Sequence, residues 1–128
     1  MRQQYGATLL TLFLLMPQIL SAQVTSFVCN FDVECTPDNG CEEKTMDLIF
    51  FLNEQGQAYM QGNANLVQVI SLAGDQAYSF VEPAGFGIVQ STSVLRNGTA
   101  VHSRHTAIAG EFVVSQWHGK CSTFGGAK

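Results

Sequence analysis

The stretch Thr92-Ser93-Val94-Leu95-Arg96-Asn97-Gly98-Thr99-Ala100-Val101-His102-Ser103 decides the fold class. A two-residue hairpin turn needs positive φ at both central positions, and Asn-Gly tolerates that best. The flanking segments are rich in Val, Thr and Ser, so the reading is a β-hairpin joining a strand over 88–96 to one over 99–106. A two-residue loop sets the register. Arg96 then faces Thr99, Val94 faces Val101, Ser93 faces His102 and Gln90 faces His105.

Moving outward from this hairpin, the same period of two recurs. Phe27, Cys29 and Phe31 alternate with Val28 and Asn30, and Met46, Leu48, Phe50 and Leu52 alternate with Asp47, Ile49, Phe51 and Asn53. Asn53-Glu54-Gln55-Gly56 and Gly74-Asp75 supply turns, and Pro83-Ala84-Gly85-Phe86-Gly87 breaks the chain before the strand at 88. A last strand runs over 111–120, and no long stretch holds a helical period. The expected fold is all-β: a small, mainly antiparallel barrel or sandwich of about eight short strands, stapled by disulfides. Phe31, Leu48, Phe50, Tyr78, Phe80 and Trp117 are its expected core.

The chain has four cysteines. Cys35 and Cys41 bracket Thr36-Pro37-Asp38-Asn39-Gly40, a turn-rich stretch that brings its ends together. Cys29 and Cys121 lie near the two ends of the folding region, Cys29 on a face with Phe27 and Phe31, Cys121 on a face with Val113 and Trp117. The expected pairs are therefore Cys35–Cys41 and Cys29–Cys121.

Upstream, Arg2, the apolar run from Ala7 to Met16 and the small residues at Leu20-Ser21-Ala22 have the layout of an export signal over 1–22, with cleavage after Ala22. The expected organisation is then a single β-domain over 23–121 and a flexible tail over 122–128. The expected destination is oxidising, either periplasmic or extracellular. Without Arg2, five Lys and Arg stand against ten Asp and Glu, a formal charge of −5. That balance argues against nucleic acid and anionic membranes as partners. Beyond the leader there is no apolar run long enough for a membrane-spanning helix.

The densest polar feature is Asp32 to Glu43. Asp32, Glu34 and Glu43 fall at the first, third and twelfth positions of a calcium loop, but Pro37 stands where that loop needs Gly, so the expectation is a solvated acidic loop. His102 and His105 are three apart on one strand and point to opposite faces, which argues against a shared metal. No phosphate-cradling loop, Gly-x-Ser-x-Gly elbow or free thiol is present. Neither enzymatic activity, cofactor nor metal is expected. Asn97-Gly98-Thr99 matches a glycosylation sequon, but the hairpin already accounts for these residues.

Surplus apolar character is the feature that points to function. Met46, Leu48, Phe50 and Leu52 can fill one face of their strand, leaving Ile49 and Phe51 on the other; Val67 and Val69 likewise oppose Leu66, Ile70 and Leu72. Either a second layer covers them, or Ile49, Phe51, Val67 and Val69 form a surface that binds another protein or a second copy of this chain.

An exported β-domain of this size, with one cysteine early in its first strand and another after its last, resembles in outline the periplasmic inhibitors of c-type lysozyme. Their recognition pattern, a Ser-Gly followed by an aromatic and then a Trp before Lys-Gly, has no counterpart here. Trp117-His118-Gly119-Lys120 differs from it, so the resemblance carries no site residue across. Two expectations stand: an exported binding module, with an inhibitor of an envelope or host protein as one form of it, and a small structural barrel or one carrying an apolar ligand.

Overall fold

A computed structural model describes residues 25–63, 65–83 and 87–125. The expected leader and its cleavage site lie outside these residues, as do the last three residues of the chain. Eight strands follow one another: β1 (Thr25–Thr36), β2 (Gly40–Leu52), β3 (Ala58–Gln61), β4 (Leu66–Ala73), β5 (Ala77–Pro83), β6 (Val89–Leu95), β7 (Thr99–Ile108) and β8 (Glu111–Phe124). Each pairs antiparallel with its neighbour in sequence, and β8 returns to pair with β1, so the sheet closes into an up-and-down barrel. Of the two expected architectures, the barrel is the one formed.

The alternating pattern turns one face of each strand inward. Phe27, Cys29 and Phe31 of β1, Leu48 and Phe50 of β2, Ala58 and Met60 of β3, and Phe80 of β5 are all buried. The rings of Phe50 and Phe80 stack at 4.3 Å between centroids, and Phe27 meets Phe80 edge-on at 5.3 Å. Phe31, Leu48, Phe50 and Phe80 thus lie in the core as expected, with Tyr78 and Trp117 partly buried against it.

Both expected disulfides are present, Cys29–Cys121 and Cys35–Cys41. The first joins residues directly opposite each other on β1 and β8, so it staples the seam where the barrel closes. Beside it, Gly119 faces Phe31, and β1 bulges between Phe31 and Val33. A Cβ at Gly119 would collide with the Asn30 carbonyl oxygen and the Phe31 Cα, so only glycine lets the first and last strands approach this closely.

Several expectations are corrected. At Asn97-Gly98 the hairpin forms, but Val94 faces Ala100, Ser93 faces Val101, Thr92 faces His102 and Gln90 faces Arg104, a shift of one residue. Gly98 alone of the pair takes positive φ, at 88°, and its N–H donates to the Leu95 carbonyl at 2.9 Å. The loop is therefore three residues long, a turn followed by a left-handed glycine, rather than a two-residue turn. Second, Ser122 to Phe124, expected in the tail, continue β8 and pair with Val28, Phe27 and Ser26, because β1 offers them an edge. The third concerns β4 and is taken up below.

The two-residue turn with both φ positive lies instead at Ala109-Gly110, with values of 52° and 83°, between paired Ile108 and Glu111. Alanine in the left-handed region costs roughly 1–2 kcal/mol, a penalty asparagine largely avoids. Ala109→Asn is expected to stabilise the protein by about 1 kcal/mol, read as a higher urea midpoint. An unchanged or lowered midpoint would contradict the assignment of strain to this residue.

Candidate functional site

The four residues expected to form an exposed apolar surface do not lie together. Ile49 and Phe51 point outward from β2 and are half-buried. Val69 is 5% exposed and belongs to the core, where it pairs with buried Ala58; Val67, opposite buried Met60, shares that inward side. The alternation along β4 is as expected, but its sides are exchanged. Both faces of β4 are apolar, and pairing with β3 selects the smaller valines for the interior. The residues turned to solvent are Leu66, Ile70 and Leu72, at 62%, 52% and 56% exposure.

These residues join Ile49 and Phe51 across the outer wall. Phe51 lies directly opposite Tyr59, Ile49 opposite Gln61, and Gln61 opposite Leu66. Farther round, Ile70 faces Val81 and Leu72 faces Ser79. The outward positions of β2 to β5 between Ile49 and Val81 thus carry aliphatic and aromatic side chains separated only by Gln61, Gln68 and Ser79. No charged residue stands among these paired positions. A wall with this many apolar side chains and no charge to break it is unusual for a soluble monomer.

A second exposed apolar group, unmarked by the sequence reading, sits at the tip of the β7–β8 hairpin. Phe112 is 78% exposed, Ile108 59% and Val113 51%. The two long hairpins, β1–β2 and β7–β8, run side by side at this end, with Cys35 facing Gln116. A shallow cleft lies between them, lined by Pro37 and Val114.

The acidic segment is not a loop: most of Asp32 to Glu43 is strand, turning at Pro37 to Asn39. Lys44 bridges Glu34 at 2.6 Å and Glu42 at 3.3 Å, and hydrogen bonds to Glu34 first and Glu42 second hold its ammonium above the usual lysine value. β3 covers β2 only from Ile49 to Leu52. The rest of that edge carries Glu42, Glu43, Lys44 and Asp47, and edge charges of this kind discourage pairing with another strand. Among the described residues no group of three or more His, Cys, Asp or Glu is arranged to hold a metal ion.

The one-residue shift at Gly98 has an electrostatic consequence. It sets His102 opposite Thr92 on the inner face, where both are almost fully buried. Thr92 Oγ1 and His102 Nδ1 are hydrogen-bonded at 2.8 Å, and the imidazole lies 5.9 Å from the Phe31 ring. Burial first, and Arg104 second, lower the His102 pKa to about 4. His105 lies on the opposite side of β7 and is exposed, as strand geometry requires.

No helix among the described residues is long and apolar enough to cross a membrane. The two disulfides are consistent with an oxidising, exported environment. No known protein family, curated protein or solved structure matches this chain.

Proposed function

We propose that this protein is an exported binding module of the periplasm or extracellular medium, and that it docks a partner protein on the outer wall of β2 to β5. The observation that carries the reading is the run Leu66, Ile70 and Leu72, each more than half exposed, flanked by Phe51, Tyr59 and Val81 with no charge among them. Interface centres are depleted of charge and rich in such side chains. A closed, doubly cross-linked barrel is a rigid support, which limits the ordering cost of association. The interior is occupied by Phe27, Phe31, Phe50 and Phe80, which weighs against an apolar cargo carried inside.

Ile70→Asp and Leu72→Asp test the reading. Both positions are exposed, so each variant is expected to melt within a few degrees of the parent, corresponding to less than about 1 kcal/mol. A partner cross-linked by the parent in envelope extract is expected to be lost from both variants. Capture that persists unchanged would overturn the assignment of the docking face. The isolated parent is expected to sediment as a monomer, and a dimer abolished by Ile70→Asp would instead identify a second copy as the occupant.

A further inference from the structure

The end of the barrel at which β1 begins and β8 finishes carries a cleft of about 410 Å³, separate from the outer wall. At its base lie Phe27 and Val94, both almost fully buried, and Tyr78, with the Phe27 and Tyr78 rings 5.2 Å apart, beneath a polar rim that includes Thr25 and Thr123. Among the described residues one charged side chain lines it, Arg96, and no Asp or Glu does. The Arg96 guanidinium is held in place. It lies 4.6 Å over the Tyr78 ring, Nε donates to the Asp75 carbonyl at 3.2 Å, and Nη2 donates to the Gly74 carbonyl at 2.7 Å.

Those two bonds use two of the five guanidinium N–H groups, leaving three for a ligand or water. Asn97 stands beside it; its Oδ1 accepts from the Thr99 N–H at 2.9 Å, so its Nδ2 is left to donate. A fixed cation and an amide donor above an aromatic and aliphatic floor, in a volume within the roughly 300–1,000 Å³ of small-molecule sites, define a ligand chemistry. In a chain of formal charge −4 this is a local inversion of sign.

We propose that this cleft binds a small apolar carboxylate, its carboxylate paired with Arg96 and its hydrocarbon or ring portion resting on Phe27, Tyr78 and Val94. The structural duty of Arg96, tying the β4–β5 turn to β6, does not compete with this, since the clamp and the ligand use different N–H groups. The same chemistry is presented by a free organic acid and by the C-terminus of a peptide ending in an apolar residue. A volume of about 410 Å³ holds a small acid whole, which favours the free acid.

The probe is cinnamate, titrated into the oxidised protein and followed by amide NMR, with cinnamamide as its neutral isostere and a tripeptide ending in free phenylalanine as the peptide arm. Saturable shifts are expected at Val94, Gly98 and Thr123. Affinity is expected to fall at least tenfold for cinnamamide and for Arg96→Gln, as loss of a charge-assisted hydrogen bond implies. Because Arg96 also clamps a turn, Thr123→Trp serves as a second variant: it fills the cleft from an exposed position while Arg96 itself is kept, and should abolish binding in a protein that melts normally. Tighter binding of the tripeptide than of cinnamate would assign the carboxylate to a peptide terminus and overturn the free-acid source. No shifts at the cleft, equal affinity for the amide, or full binding by Thr123→Trp would overturn the site itself.

Discussion

Replacing Cys29 and Cys121 together with alanine is expected to cost about 4 to 5 kcal/mol, and replacing Cys35 and Cys41 about 2 kcal/mol, in the loop-closure model. The difference follows from the sequence separations, 92 for the first pair and 6 for the second. A long bridge removes far more freedom from the unfolded chain than a short one. Position adds to the contrast, because Cys29 is fully buried at the seam of the barrel whereas the short bridge lies near a hairpin tip. For a domain of this size the larger loss is a substantial part of total stability. Urea unfolding of both variants beside the oxidised parent measures it, and equal losses would contradict the assignment.

Acid is expected to weaken the protein through His102 by about 3 kcal/mol. The unfolded chain takes up a proton at this residue below about pH 6.5, but the folded protein does so only near pH 4. Between those values the unfolded state binds more protons, so stability falls as pH drops from about 6.5 and the loss is complete near pH 4. The difference between parent and His102→Gln isolates the contribution of this residue. The variant is expected to be less stable at neutral pH, with a gap that narrows steadily on acidification. Parallel stability curves for the two proteins would show that His102 is not the group responsible.

The cysteine pairs and the strand count were legible because both rest on local features: alternation, turn residues, and the parity of Cys29 and Cys121 within their strands. The Asn97-Gly98 register was not, since that dipeptide serves a two-residue turn and a three-residue turn with a left-handed glycine equally well. The two differ by one residue. That one step separates His102 facing Ser93 from His102 buried against Thr92, so the titration above could not be foreseen either. On β4 both faces are apolar, and the choice between Val69 and Ile70 for the interior was made by the neighbouring Ala58, a contact between strands that periodicity does not carry. The turn at Ala109-Gly110 escaped notice because alanine seldom takes positive φ. The cleft is composed from β1, β5, β6 and β8, and no single stretch of sequence contains it.

A bond between the first strand and the last also changes what a protease can accomplish. Every turn from Pro37 to Gly110 lies between Cys29 and Cys121, so the segment between these cysteines is covalently a ring, with a smaller ring inside it at Cys35–Cys41. Exposed turns such as Glu54-Gln55-Gly56 are the places where a surrounding hydrolase would cut. A single cut there opens the ring without releasing a fragment, and the two new ends remain held by the neighbouring strand ladders. The nicked molecule stays in one covalent piece until it meets a reductant, so this barrel can persist, cut but whole, in surroundings that degrade proteins without such a bond.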